Sequence, residues 1–216
     1  MRPLSQYIDH TNLKPTASKA DIQRLCQEAV SFDMASVCIH PCHVSFAKDC
    51  LQGTNVKVCT VIGFPLGATL TAVKRFEAEQ AISQGADELD MVINIGALKE
   101  GCLDIVKQDI AAVVAAAQGR IVKVIIETGL LSDPEKQLAV ELACEAGANY
   151  VKTCTGFSSG AATVDDVRLM KQSCASGVLV KASGGIRDRS TAMALIDAGA
   201  DRLGTSSGTV ILAEQA

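Results

Sequence analysis

The chain has 216 residues, 20 Lys and Arg against 24 Asp and Glu, a formal charge of −4, and a composition that is 48% hydrophobic but only 3% aromatic. With no Trp, two Tyr and a slight acidic excess, it lacks the basic field and stacking platforms of nucleic-acid binding, and no apolar run approaches the ~20 residues that span a bilayer. The expectation is one cytoplasmic globular domain over residues 1–216, with neither nucleic acid nor membrane as partner.

The elements follow in chain order. A short strand over 7–10 precedes a helix in which Ile22, Leu25, Cys26 and Ala29 recur at i, i+3, i+4, i+7 after a Ser18-to-Asp21 pair spaced like a capping box. The β-branched run 35–39 ends in Cys38-Ile39-His40-Pro41-Cys42-His43, the one stretch dense in zinc-type ligands. One further His and no second Cys/His cluster leave a tetrahedral site incomplete, so no metal is expected. The nine cysteines, odd in number and without CxxC, read as small buried hydrophobes in a reducing compartment. Strand 57–62 leads to a helix marked by Val73, Phe76 and Ile82. Strand 88–93 leads to one striped by Leu103, Val106, Ile110, Val113 and Val114. After strand 121–127, Asp133-Pro134 supplies an N-cap and a first-turn proline for a helix with Leu138 and Leu142. Strand 149–153 precedes a helix capped by Thr163 that carries Val164 and Val167. Strand 178–182 is followed by a helix with Ala192, Leu195 and Ile196, and 201–204 is the last strand.

A weak repeat punctuates this order. Gly85-Ala86-Asp87, Gly147-Ala148-Asn149 and Gly199-Ala200-Asp201 each end a helix and open a strand, where glycine takes a left-handed conformation cheaply. Eight continuous apolar strands alternating with helices predict an α/β fold with a parallel sheet covered on both sides, and the count suits a (β/α)8 TIM barrel. An open doubly wound sheet is the rival, but it normally announces a nucleotide by a glycine-rich turn that this chain lacks.

In such a barrel the reacting groups stand at the C-terminal ends of strands. Lys152 after Asn149-Tyr150-Val151, Lys181 after Val178-Leu179-Val180, and Asp90 within Leu89-Asp90-Met91-Val92 are charges where core residues are expected. A lysine of pKa ~10.4 has about a thousandth of its amine free at neutral pH, and bringing it toward ~7, a change of roughly 4 kcal/mol, makes it a nucleophile. Partial desolvation and a second cation both act that way, and a nearby carboxylate can move protons. The set points to Schiff-base chemistry on a carbonyl compound. The same residues are equally compatible with lysines that reach solvent and an Asp90 that pairs with one of them. Two loops, Ser183-Gly184-Gly185-Ile186-Arg187 and Gly204-Thr205-Ser206-Ser207-Gly208, offer backbone amides, hydroxyls and a guanidinium after the last two strands, where phosphate sites frequently lie. Each loop alone could be a tight turn; together they point to a phosphorylated substrate.

Asp9-His10-Thr11, Val61-Ile62-Gly63-Phe64-Pro65, Glu88-Leu89-Asp90-Met91-Val92, Lys123-Val124-Ile125-Ile126-Glu127-Thr128, Lys152-Thr153-Cys154-Thr155-Gly156-Phe157, and the two loops with Lys181-Ala182 and Arg202-Leu203 before them resemble the deoxyribose-phosphate aldolase family, in order, from residue 8 to 208. The resemblance implies a class I aldolase that needs no cofactor or metal and takes small phosphosugar and aldehyde substrates. It implies Lys152 as the Schiff-base lysine, Lys181 as the lysine that eases its deprotonation, and Asp90 as the proton-relay carboxylate. Gly156, Gly184, Gly185, Arg187, Gly204, Ser206 and Ser207 fall where the family binds phosphate, and Asp9, Thr11, Cys38 and Lys123 match positions lining its pocket. Cys154 replaces the family's usual Ser, which could alter packing or make the site sensitive to oxidation, and Gly160-Ala161 replaces a frequent pair of glycines. Some members assist proton transfer with a Tyr at the end of a longer tail; here the role passes to water or to Asp90 and Lys181. A small barrel with amphipathic outer helices also admits a homodimer.

Overall fold

In the computed structural model of the chain, which describes residues 2–158 and 160–213, the strand segments close into a ring. They are β1 (Ile8–Asn12), β2 (Ser36–Ile39), β3 (Lys57–Ile62), β4 (Glu88–Val92), β5 (Ile121–Ile125), β6 (Tyr150–Lys152), β7 (Leu179–Ser183) and β8 (Arg202–Thr205). All pairs are parallel, and β8 returns to β1, with Ile8 opposite Leu203 and Asp9 opposite Gly204. That last pairing excludes the open sheet: the fold is the (β/α)8 barrel.

Side chains alternate along a strand, so each strand divides its residues between the helix layer and the barrel interior. Ile8, Val37, Val58, Leu89, Val122, Val151, Val180 and Leu203, one from every strand, are wholly buried in the main apolar core. Their sequence neighbours Asp9, Cys38, Cys59, Asp90, Lys123, Lys152, Lys181 and Arg202 turn the other way, and all are buried too. Both faces are therefore covered, but only one is apolar.

The helices of the described residues are α1 (Lys19–Ser31), α2 (Val44–Cys50), α3 (Thr71–Ser83), α4 (Ile95–Lys99), α5 (Leu103–Ala116), α6 (Asp133–Glu145), α7 (Val164–Ser173), α8 (Arg189–Asp197) and α9 (Gly208–Ala213). The capping box predicted for α1 is formed: Asp21 donates its backbone N–H to Ser18 Oγ at 3.3 Å and accepts the Ser18 N–H at 2.9 Å. The Ser18 hydroxyl, donating to the same carboxylate at 2.6 Å, together with the Ser18 N–H and Arg24, holds the Asp21 carboxyl down to about 2. Thr163 caps α7 as expected. Two expectations are corrected. The N-cap of α6 is Ser132, whose amide reaches Glu135 at 2.7 Å, while Asp133 is already inside the first turn. On α3, Val73 and Phe76 face solvent at 48% and 60% exposure, and the buried side is Lys74, Ala78, Ala81 and Ile82. Lys74 defeats the pattern because its ammonium is paired with Asp109 of α5 and donates to the Val92 carbonyl at 2.9 Å.

The Gly-Ala-Asp/Asn repeat does more than end helices. Gly85, Gly147 and Gly199 take φ of +102°, +87° and +113°, and the third residue of each repeat then clamps the preceding strand. Asp87, Asn149 and Asp201 accept the backbone N–H of Val58, Val122 and Val180 at 2.9, 2.8 and 2.9 Å through their side chains, and return their own N–H to the same residues' carbonyls. The motif thus sets strand register at the N-terminal end of the barrel, opposite the reacting end.

Candidate active site

Every strand except β2 and β3 contributes a charge to the barrel interior. Asp90 stands at the centre. Its Oδ2 accepts from Lys152 Nζ at 2.8 Å and from Lys181 Nζ at 2.7 Å, and its Oδ1 accepts from Lys123 Nζ at 2.8 Å and from the Cys59 thiol at 3.1 Å. Asp9 binds Lys181 through Oδ2, and through Oδ1 it takes Ser36 Oγ at 2.7 Å and Arg202 Nε at 2.6 Å. Glu88 lies 2.6 Å from Lys123 and accepts both contacts of an Arg202 nitrogen at 2.9 and 3.0 Å. Lys152 and Lys181 are register partners on β6 and β7, which is why their ammonium groups share one oxygen.

Burial alone would push the Asp90 carboxyl up, but Lys123, Lys152 and Lys181 outweigh it and hold the group well below the usual carboxylate range. Asp9 is likewise lowered against burial, by Arg202, Lys181 and Lys123. The converse holds for Lys181: burial would strip its proton, yet Asp9 and Asp90 raise it, and Lys123 is raised well above its ordinary value in the same way. Lys181 is therefore a fixed cation beside Lys152.

Above this layer opens a cavity of about 390 Å³. Lys152, 3% exposed, is the one member of the charged cluster that reaches its wall. Thr11, Gly156, Gly184, Gly185, Arg187, Gly204 and Ser206 line it, together with His10, Glu28, Thr155, Phe157 and Ser183. Gly156, Gly184 and Gly185 have φ of +81°, +95° and +75°, a conformation that turns successive amides toward one side. At Gly204 the need is for space: a Cβ would stand 3.0 Å from Ser183 Cβ and 3.1 Å from Lys181 Cε. Gly204→Ala is expected to displace the Lys181 ammonium and cut kcat/KM by about tenfold to a hundredfold, a loss to be read in steady-state kinetics beside an unchanged far-UV spectrum.

The comparisons with known proteins bear on this arrangement. Residues 4–214 match the DeoC/LacD family aldolase profile. The chain belongs to that aldolase family. It is 57% identical over 209 residues to the deoxyribose-phosphate aldolase of Streptococcus gordonii, covering 97% of this chain and 95% of that one. It is 58% identical over 213 residues to that of Carboxydothermus hydrogenoformans, with 97% and 93% covered. The tetrameric deoxyribose phosphate aldolase of Aeropyrum pernix shares the fold at a TM-score of 0.90 and 34% identity, covering 97% of this chain and 89% of that one.

Several sequence expectations shift in detail for this aldolase. Asp9, Cys38 and Lys123, read as pocket-lining, do not form the cavity wall; all three are fully buried beneath it, in or against the charged layer. Ser207 sits one residue behind the wall, its N–H donated to Thr205 Oγ1 at 2.9 Å. Of Cys38, His40, Cys42 and His43, only Cys38 falls in a cluster of ligating atoms, lying within 4.8 Å of those of Cys59 and Asp90, and that carboxylate is already engaged by three ammonium groups. Cys154 is buried against Thr128 Oγ1 at 3.4 Å, and burial raises its thiol, so packing rather than reactivity is its role. It lies under Gly184, and Ala161 lies under Gly185, so the two departures from the family pattern support the same loop. No helix among the described residues is long and apolar enough to cross a membrane. Residues 214–216, which bear on the question of the tail, lie outside the described residues.

Residue-level reasoning passed over Glu88 and Arg202, although both stand in quoted motifs. The signal was there: each is a charge two residues before another interior position, Asp90 and Gly204. His10 was also passed over. Its Nε2 lies 2.6 Å from Glu28, its Nδ1 is buried without a partner, and the ring forms part of the cavity wall.

Proposed function

We propose that the chain is a class I aldolase that reversibly cleaves 2-deoxy-D-ribose 5-phosphate to D-glyceraldehyde 3-phosphate and acetaldehyde through a Schiff base on Lys152. The observation that carries this reading is the placement of one buried amine, Lys152 Nζ, at the cavity wall, with its neighbours Asp90 and Lys181 wholly enclosed behind it. The names of the relatives support the substrate, and the glycine-rich walls around Gly184 and Ser206 suit its phosphate.

In the cleavage direction the neutral Lys152 amine attacks C1 of the open-chain sugar. Loss of water from the carbinolamine leaves a protonated imine, which is the electron sink. The proton of the C3 hydroxyl leaves through Asp90 with Lys181 or a water, the C2–C3 pair flows into the C1–N unit, and glyceraldehyde 3-phosphate departs. The remaining enamine takes a proton at C2, and one water releases acetaldehyde and restores the amine. Asp90, held ionised, carries a proton only in passing. Binding the phosphate at the loops fixes C1 against Nζ, an entropic contribution that can reach several kcal/mol.

Borohydride reduction in the presence of acetaldehyde tests the reading: an ethyl group on Lys152, found by peptide mass spectrometry and suppressed by pre-bound substrate, is the expected outcome. Labelling that is absent or spread over surface lysines would overturn it. The reading takes residues 1–216 as one catalytic domain in a reducing, cytoplasmic compartment, supported by the nine unpaired cysteines. The amphipathic outer helices admit a homodimer, the Aeropyrum pernix relative is a tetramer, and sedimentation velocity distinguishes monomer, dimer and tetramer.

A further inference from the structure

The interior holds four cationic side chains, Lys123, Lys152, Lys181 and Arg202, and three carboxylates, Asp9, Glu88 and Asp90, all at least nine-tenths buried. Three cations hold carboxylate contacts that do not depend on sharing with Lys152: Lys123 on Glu88, Lys181 on Asp9, and Arg202 on both Asp9 and Glu88. With Lys152 neutral, the buried charges balance. With Lys152 protonated, one positive charge is left over where the layer meets the cavity.

We propose that Glu88 and Arg202 are positioning residues for the nucleophile: a buried counter-charge pair that never touches substrate but sets the charge balance under Lys152. This rests on the reading of Lys152 as the Schiff-base lysine. Neither residue bonds to Lys152; Glu88 acts through Lys123 and Arg202 through Asp9, which in turn holds Lys181. Their own bidentate contact fixes how much carboxylate is left for the two lysines. The ionisable groups facing the layer come from all eight strands: Asp9, Cys38, Cys59, Glu88 with Asp90, Lys123, Tyr150 with Lys152, Lys181 and Arg202. On its cavity side Lys152 shares the wall with His10, Lys14, Asp21, Arg24, Glu28 and Arg187; these, like Cys38, Cys59 and Tyr150, are the same in every variant below, so their charge does not affect the signs expected.

The sign of each substitution follows from electrostatics. Glu88→Gln removes a negative charge and disfavours protonated Lys152; Arg202→Met removes a positive one and favours it. The measurement is the pH dependence of acetaldehyde trapping by borohydride at Lys152, read peptide by peptide so that it reports this amine alone. The midpoint should fall by about half a unit to one unit in Glu88→Gln and rise by a similar amount in Arg202→Met. The double variant, which removes one charge of each sign, should return to the wild-type midpoint, and Arg202→Lys should leave it in place. Should Arg202→Met not fold, Glu88→Gln and the double variant still carry opposite expectations, a fall against no change. Midpoints that do not move, that move together, or that stay displaced in the double variant overturn the proposal and reduce the pair to scaffolding. Absence of any Lys152 adduct in the wild type would instead overturn the Schiff-base reading, and this inference with it.

Discussion

Lys152→Ala is expected to lower aldol cleavage by about four orders of magnitude or more while changing thermal stability little. The two parts have separate physical reasons. Turnover fails because no other amine of the charged layer reaches the cavity wall: Lys181 and Lys123 are fully enclosed and held protonated by carboxylates, and Lys14, the other lysine of the wall, is exposed to solvent. Stability survives because Asp90 keeps Lys181 at 2.7 Å and Lys123 at 2.8 Å after the third ammonium is gone. Lys152→Arg should recover nothing, since a guanidinium does not give up its proton at any working pH. Release of glyceraldehyde 3-phosphate, followed through a coupled dehydrogenase, checks both variants. Residual activity above about a hundredth of wild type would show that the reaction does not pass through this amine.

Asp90→Asn should damage both activity and stability. The amide leaves Lys123, Lys152 and Lys181 with only Asp9 and Glu88 as counter-charges in a closed interior, a change of the kind that costs about 3 to 5 kcal/mol. Turnover should fall by about a hundredfold or more through loss of the proton relay. The pH dependence supplies the sharper check. In the folded chain the Asp90 carboxyl binds its proton far more weakly than in the unfolded chain, whose reference value is ~3.9. Its contribution to stability is thus fully present above that value and is lost as pH falls from there toward the folded value. The difference in unfolding free energy between wild type and Asp90→Asn should accordingly be constant near neutrality and shrink below about pH 4. Urea titrations at pH 7 and at about pH 3 would read it, and a gap that ignores pH would mean that Asp90 is not the ionised hub of the layer.

The strands were legible because their outward residues, Val37, Val58, Val122, Val151 and Val180 among them, write an apolar pattern that only a covered sheet explains. Lys152, Lys181 and Asp90 were legible because they interrupt that pattern. The charges that sequence reasoning left unused, Glu88 and Arg202, interrupt it too, but they begin their strands, where a polar residue commonly marks a solvated end. Only ring closure shows that they face inward. Helix α3 was misread on its surface side for a related reason: a helix that buries Lys74 over a partner on another helix, while exposing Phe76, cannot be oriented from hydrophobicity. The three cavity residues that proved to lie beneath the wall, Asp9, Cys38 and Lys123, show what resemblance conveys. It gives proximity to a site, and the depth of a side chain within it comes from the alternation and tilt of strands.

The ring of charges also bears on how the barrel comes into being. Asp9 of β1 meets Lys181 and Arg202 across sequence separations of 172 and 193 residues, among the longest loops the chain has to close. Such contacts are slow to form, and until they do, two strands present unpaired edges and an interior lined with unmatched charge. A chain lacking one end would carry Lys152 without the Asp9 carboxylate or without the Arg202 guanidinium that completes its surroundings. Recovery of activity on refolding should therefore lag behind recovery of helix content, because the last strand to seat is also the one that completes the chemistry.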